Sequence, residues 1–181
     1  MHEISTVCFT GHRQIGGAYY DHNQPNRTWQ AIERLTSAII ADLVSNYNTR
    51  KFIVGGALGI DTMAAKCVVA FKQFNSVSPD IKMVLAIPFP SYSAKMRSEE
   101  KKIFDMYLAA ADEVVMVSQG PFTVRKLFVR NEWMVDNSQM ACAFWDGREA
   151  GGTYQCMRYA KNKGKLLFLV QTNNNLRVGW W

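Results

Sequence analysis

The stretch that most restricts the fold is Lys51 to Lys72, KFIVGGALGIDTMAAKCVVAFK. Phe52, Ile53 and Val54 form a short β-rich apolar run, Gly55 and Gly56 interrupt it, and Met63, Ala64, Cys67, Val68 and Phe71 recur at helical spacing. The unit reads as strand, turn, helix. Gly55, Gly56 and Gly59 keep bulky side chains out of the turn, so a ligand can come close to the backbone, and the first amides of the following helix have no partner inside it. Such a helix start favours anions, phosphate above all. Asp61 falls in the first turn, where it reads either as a helix cap or as an acceptor for a ribose hydroxyl.

With 181 residues, 48% of them hydrophobic, the chain can bury one full core. One domain over residues 1–171 with a tail over 172–181 is expected. No run approaches the roughly 18 apolar residues of a membrane span, and Met1-His2-Glu3 does not resemble a secretion signal, so a soluble cytoplasmic protein is expected. Cys8, Cys67, Cys142 and Cys156 stand far apart in apolar contexts without a Cys-x-x-Cys pair; they read as reduced core thiols, not as a disulfide framework or a metal site. A net charge of +6 suits a phosphorylated or polyanionic partner, although the basic residues are spread along the chain.

Ile4 to Phe9 reads as the first strand and ends in Thr10-Gly11-His12-Arg13. His12 and the Arg13 fork suit a phosphate or a base, and equally suit a surface loop with two solvated cations. Gln14 to Asn26 has no apolar period and reads as a loop, with Tyr19 and Tyr20 available to stack. Trp29, Ile32, Leu35, Ile39 and Leu43 mark an amphipathic helix capped by Asn26 or Thr28. Ile81 to Ile87 is a strand closed by Pro88-Phe89-Pro90, with Tyr92, Lys95 and Arg97 just beyond it. A helix from Ser98 through Ala111 should bury Ile103, Met106, Tyr107 and Ala110.

Glu113 to Val117 is a short strand, and Val124 to Val135 a helix with Leu127, Phe128, Met134 and Val135 inward. Arg130 and Asn131 break its apolar pattern, and an arginine there needs an acidic partner or a ligand phosphate. Met140 to Trp145 is nearly all apolar, as in a parallel strand buried on both faces. It leads through Asp146-Gly147 to Gly151-Gly152-Thr153 and an amphipathic helix through Tyr159. The start of that helix offers its amides and the Thr153 hydroxyl to a further phosphate. Gly164 ends the helix, Leu166 to Val170 is the last strand, and the tail stays polar until Gly179-Trp180-Trp181. Those tryptophans should pack on this domain or on a neighbouring subunit.

About six strands alternating with five helices predict an α/β fold with an open, mostly parallel sheet and helices on both faces. Ligands of such sheets bind beyond the C-terminal strand ends, where Gly11 to Arg13, Gly55 to Asp61 and Asp146 to Thr153 all fall. No Walker loop, Gly-x-Gly-x-x-Gly, Gly-x-Ser-x-Gly or His-Glu-x-x-His occurs, which removes support for kinase-type ATP use, classical NAD binding, and serine or zinc hydrolysis. No resident cofactor and no metal are expected.

Three stretches in order across Thr6 to Val170 carry a resemblance: Thr10-Gly11-His12-Arg13, Gly55-Gly56-Ala57-Leu58-Gly59-Ile60-Asp61, and Asp146-Gly147 followed by Gly151-Gly152-Thr153. The set resembles the YpsA-like branch of the SLOG superfamily, which joins the SMF/DprA DNA-processing proteins to the LOG ("lonely guy") phosphoribohydrolases. Gln14 stands where the family's proline is expected. The resemblance implies a Rossmann-like fold that binds nucleotides or nucleotide-derived molecules, with phosphates at the glycine turns and a ribose at Asp61.

Three functions follow from that resemblance. The first is a binder of an ADP-ribose-type signal, which it senses or sequesters; family context extends this to a phage or mobile-element protein acting against host nucleotide signalling. Ligand contacts are then expected from Gly11, His12, Arg13, Gly55, Gly56, Gly59, Asp61, Arg130, Asn131, Asp146, Gly151, Gly152 and Thr153. The second is a phosphoribohydrolase cutting the N-glycosidic bond of a nucleoside monophosphate. The resemblance implies Arg130 as its catalytic arginine, but Cys156 occupies the glutamate's place and cannot stabilise an oxocarbenium-like centre as a carboxylate does. Asp61, Glu132, Asp146 and Glu149 remain as substitutes. The third is single-stranded DNA binding, as in the DprA relatives that share the Gly-Ile-Asp turn; positive charge favours it and the lack of a dense basic stripe weakens it. A binder is favoured over an enzyme, a small molecule over nucleic acid, and self-association is expected in every case.

Overall fold

The chain runs through β1 (Thr6–Gly11), a hairpin of β2 (Gln14–Ile15) and β3 (Ala18–Tyr19), α1 (Arg27–Tyr47), β4 (Lys51–Val54), α2 (Ile60–Phe74), β5 (Lys82–Ile87), α3 (Ser98–Ala110), β6 (Glu113–Met116), α4 (Val124–Asp136), β7 (Met140–Trp145), α5 (Gly151–Asn162), β8 (Leu166–Gln171) and β9 (Arg177–Trp180). This computed structural model describes residues 3–74, 80–173 and 176–181. The main sheet has the order β6-β5-β4-β1-β7-β8-β9, and only β9 runs antiparallel to its neighbour. From β1 the chain steps outward through β4, β5 and β6, then returns to place β7 on the other side of β1. β1 pairs with β4 only as far as Cys8 opposite Ile53, but with β7 as far as Gly11 opposite Phe144. Its two neighbours therefore part at its C-terminal end, which opens a crevice at the point where the strand order reverses.

Alternation along the central strands sorts the core into two layers. Val7, Phe9, Phe52 and Val54 face α1, α2 and α3, where Trp29, Ile32, Met63, Val68 and Phe104 complete one apolar cluster. Cys8 and Ile53 face the other side, where α4 and α5 supply Met134, Val135, Cys156, Met157 and Ala160. The mostly parallel sheet with helices on both faces is the fold expected from the alternation of elements, and Asn26, not Thr28, caps α1 by accepting from the Trp29 amide at 3.0 Å. Among the described residues no helix is long and apolar enough to cross a membrane.

Three local expectations need correction. The segment from Gln14 to Asn26 is not wholly irregular: Gly16 and Gly17 take φ of 58° and 77°, the two-residue turn suited to a hairpin, and fold Ile15 into the core. The main sheet has seven strands, because Arg177–Trp180 joins it as β9, with Trp180 edge-on to Phe168 at 5.3 Å and the Lys161 ammonium 4.3 Å from the Trp181 ring. Residues 174 and 175 of that tail lie outside the described residues. On α3 the buried residues are Phe104 and Tyr107, three apart on one face, and this phase turns Met106 to solvent.

Candidate ligand-binding site

The three turns meet in the crevice above β1, and with α4 they form a cleft of about 290 Å³. Two of them are joined by close backbone approach. A Cβ on Gly11 would lie 2.7 Å from Cβ of Ile60, so the first residue of α2 rests directly on the end of β1. Gly59, at φ +87°, passes so close to the next turn that a Cβ would stand 2.5 Å from Cα of Arg13, and the Ile60 amide donates to the His12 carbonyl at 3.2 Å. The start of α2, expected to receive a phosphate, is thus partly filled by the chain's own carbonyl.

Gly55 serves a different approach. It follows β4 and its missing side chain points toward α4, where Arg130 occupies the space; Arg130 Nη1 donates to the Gly55 carbonyl, and an added Cβ would meet the guanidinium and come 2.7 Å from Asp61 Oδ2. Arg130 Nη1 lies 3.6 Å from Asp61 Oδ2, and Arg130 Nε donates to Asn131 Oδ1 at 2.9 Å. Asp61 Oδ2 also accepts from the Ala57 amide at 3.1 Å, so Asp61 braces its own turn and does not cap α2. Burial pushes the Asp61 carboxyl up, while Arg130 and the Ala57 amide pull it back. The Tyr92 hydroxyl adjoins the Arg130 guanidinium, and burial raises its phenol against that cation's influence. Gly56, at φ +69°, turns the other way, toward Phe104 and Leu85.

The start of α5 is the open end of the site. Ala150 precedes it without a side-chain cap, Gly151 is exposed at φ +84°, and Gly152 and Thr153 line the cleft. The first-turn amides have no partner within the helix, so donors and the positive end of the helix dipole face the cleft. Asn131 Nδ2 approaches the Gly152 carbonyl at 3.4 Å from α4, and the exposed Arg13 lines the same cleft. At the rim, His12 Nε2 lies 2.9 Å from Asp146 Oδ1 without hydrogen-bond alignment. Asp146 also accepts from the Arg148 amide at 3.1 Å and from Arg148 Nε at 2.7 Å. Burial lowers the His12 value, with Asp146 opposing and Arg148 assisting, so the imidazole is neutral at pH 7. For Asp146 burial acts upward, but the Arg148 amide, His12 and the Arg148 guanidinium together hold the carboxyl below its usual value.

Of the residues picked from the sequence, Gly11, His12, Arg13, Asp61, Arg130, Asn131, Gly152 and Thr153 line one cleft. Gly55 and Gly59 lie beneath it in internal contacts, Asp146 stands beside His12, and Gly151 is at the surface. Of the acids weighed for a hydrolase only Asp61 lines the cleft; Glu132 faces a groove between α4 and α5, and Glu149 is exposed. Cys156 is a buried thiol pushed up to about 11 by burial, with Thr10 bonding opposing the rise. Thr10 and Phe128 also line the cleft and the Tyr92 hydroxyl adjoins Arg130, none of which the sequence marks as a ligand contact. Phe128 falls on the apolar side of the α4 pattern, but it is a half-buried wall of the cleft, and Tyr92 reaches Arg130 only through the tertiary fold.

The model of the YpsA family, described as the YspA SLOG family, matches residues 7–173. The SPbeta prophage-derived protein YoqJ of Bacillus subtilis (strain 168) is 33% identical over 147 residues, which cover 75% of this chain and 84% of YoqJ. A UPF0398 protein of Halalkalibacterium halodurans is 24% identical over 163 residues, 88% of this chain and 82% of that protein. Among solved structures, DNA processing protein A from Helicobacter pylori, reported for its single-stranded DNA binding mode, superposes with a TM-score of 0.60 at 17% identity, over 96% of this chain and 68% of that one. DNA processing protein A (DprA) from Streptococcus pneumoniae gives 0.64 at 14% identity, over 94% of this chain and about half, 52%, of that one. At such identities the structures establish the fold alone, a Rossmann-like α/β architecture. By its sequence match over residues 7–173, the chain belongs to the YpsA (YspA SLOG) family.

Proposed function

We propose that this protein binds a nucleotide-derived small molecule in the cleft above β1 and retains it intact. The observation that carries the proposal is the uncapped start of α5 opening into the same cleft as Arg13, an arrangement in which helix amides and a guanidinium can share one anion. Thr153 adds a hydroxyl, and Leu127 and Phe128 give the cleft an apolar wall for a base. Asp61 supports a ribose contact: its described hydrogen bond from the Ala57 amide and its ion pair with Arg130 both use Oδ2, which leaves Oδ1 to accept from a sugar hydroxyl. Retention without turnover is supported by the state of Cys156, a neutral thiol at pH 7, and by the engagement of Asp61 with Arg130. Identity with a prophage-derived relative supports a narrower form, a mobile-element protein that sequesters an ADP-ribose-type host signal. Self-association belongs to the same proposal, supported by the exposed Val178, Trp180 and Trp181.

Single-stranded DNA binding is a second reading. It is supported by the net charge of +6 and by the fold shared with the H. pylori protein reported to bind single-stranded DNA.

Native mass spectrometry with AMP, ADP-ribose, cyclic nucleotides and NAD, with the small molecules analysed in parallel, tests both. An intact nucleotide retained by the wild type and held about tenfold more weakly by Arg13→Ala is the expected result. Failure of every nucleotide to bind more tightly than millimolar overturns the proposal, and released base or ribose phosphate replaces it with an enzyme.

A further inference from the structure

A second cavity, of about 220 Å³, lies between α4 and α5 and shares two of its walls, Phe128 and Asn131, with the cleft above β1. Asn131 is the partition between them, accepting from Arg130 Nε and reaching toward the Gly152 carbonyl at 3.4 Å. That long contact is the one described hydrogen bond linking a side chain of α4 to the start of α5. The groove thus adjoins the cleft across Phe128 and Asn131, with that one long contact between them.

Its lining is suited to a nucleoside. Phe128 and Tyr159 supply aromatic surface, and Gln155 an amide that can both donate and accept. Glu132 on α4 and Arg158 on α5 face the same groove, yet among the described residues neither has an ion-pair partner. A carboxylate and a guanidinium that share a groove without meeting can each take a ligand group: a vicinal diol on Glu132, and a phosphate or base edge on Arg158.

We infer that the groove is the second chamber of the same site, so that the ligand is a two-part nucleotide. One nucleoside occupies the cleft above β1, a pyrophosphate passes Asn131 at the start of α5, and a second sugar lies between Glu132 and Arg158. The inference rests on the reading of the cleft as a nucleotide site and adds the place where the second half of a two-part nucleotide would lie. A mononucleotide fills only the first chamber.

Isothermal titration with AMP, ADP and ADP-ribose separates the two claims. AMP tests the cleft; ADP carries the second phosphate without the second sugar and is the reference for the groove. The expected result is ADP-ribose binding about tenfold or more tighter than ADP to the wild type, with the ADP to ADP-ribose ratio falling near one in the Glu132→Gln, Arg158→Ala double variant. Thermal melting of that variant at the wild-type midpoint verifies its fold, and each single variant gives the ratio if the double one does not fold. Equal affinity of the wild type for ADP and ADP-ribose overturns the second chamber while leaving the nucleotide reading intact. A preference that survives both single variants and the double one also overturns it, since the second sugar then lies elsewhere. Absence of AMP, ADP and ADP-ribose binding altogether removes the nucleotide reading and the second chamber with it.

Discussion

Asp61 Oδ2 and Arg130 Nη1 stand 3.6 Å apart above Gly55, although their helices pack on opposite faces of the sheet. Each side chain is only 8% exposed, so the pair straps the two helical layers together across the sheet edge and forms the floor of the cleft. Arg130→Ala leaves a buried carboxylate without its cation, and a loss of about 3–5 kcal/mol is expected. The sign of the pH dependence follows from Asp61. Burial raises its folded value above 3.8, so the folded chain holds a proton that the unfolded chain has released, and stability falls as pH rises from the unfolded to the folded value. Removing Arg130 raises the folded value further and widens that window. Urea midpoints should therefore show a larger deficit for Arg130→Ala at pH 7.5 than at pH 5; equal deficits at both would show that Asp61 does not bear the loss.

Gly59 and Gly151 share a left-handed backbone but differ in their surroundings. An alanine Cβ at position 59 would stand 2.5 Å from Cα and 2.8 Å from the carbonyl oxygen of Arg13, backbone atoms that cannot swing away. At position 151 the same Cβ meets open space. Gly151→Ala should cost only the backbone penalty of about 1–2 kcal/mol, and Gly59→Ala more than that, with Arg13 displaced from the cleft. Thermal melts of the two variants compare them directly, and indistinguishable midpoints would contradict the close approach.

The contrast marks how far the sequence is legible. The strand, turn and helix of Lys51 to Lys72, the apolar run of β7 and the placing of three turns at one sheet edge follow from local pattern, because each depends on neighbours within a few residues. What Gly55 is for does not follow locally: the side chain that needs its missing Cβ is Arg130, 75 positions along the chain. Arg130 itself was legible as a residue requiring an acid or a phosphate, but the choice of Asp61 depends on two helices meeting over the sheet edge. The hairpin at Gly16-Gly17 had its signal in a glycine pair between Ile15 and Ala18, masked by the polar residues around it. β9 had little signal of its own, since an edge strand is held by its neighbour's ladder and by Phe168 under Trp180.

His12 should behave as a neutral imidazole that a bound anion recharges. Its folded value lies below 6.5, chiefly through burial, so the stability it contributes is complete above 6.5 and is lost as pH falls through the folded value. A phosphate arriving in the same cleft favours the protonated form, and by linkage protonation favours the phosphate. ADP affinity should rise as pH drops from 7.5 toward 6, and His12→Gln should flatten that slope relative to wild type. An unchanged slope in the variant would place the titrating group elsewhere.

All four cysteines are buried, and burial raises each of their thiols, Cys67 and Cys156 to about 11 and the other two further. Thiolate, not thiol, reacts with disulfide reagents and alkylating agents. The folded protein at pH 7.5 should therefore react with such a reagent far more slowly than the urea-unfolded chain, and nucleotide binding should survive the treatment. Rapid native labelling at Cys156 would reopen a chemical role for that side chain beside Thr10.

Arg13 distinguishes the two kinds of partner under consideration. For a nucleotide held at the start of α5 it supplies one charge-assisted contact among several, so Arg13→Ala should weaken ADP by about tenfold, and Thr153→Val by less. Salt should have a shallow effect, because few counterions leave a mononucleotide. A single-stranded oligonucleotide that contacts Z phosphates instead loses affinity with a logarithmic salt slope of about −0.7Z. Fluorescence anisotropy of a labelled oligonucleotide across a salt series, repeated with saturating ADP, measures both properties together. If the cleft is the nucleotide site, ADP binds with shallow salt dependence and the oligonucleotide signal is weak or indifferent to ADP. A steep slope abolished by both ADP and Arg13→Ala would instead show that the cleft above β1 receives the phosphate of a nucleic acid strand.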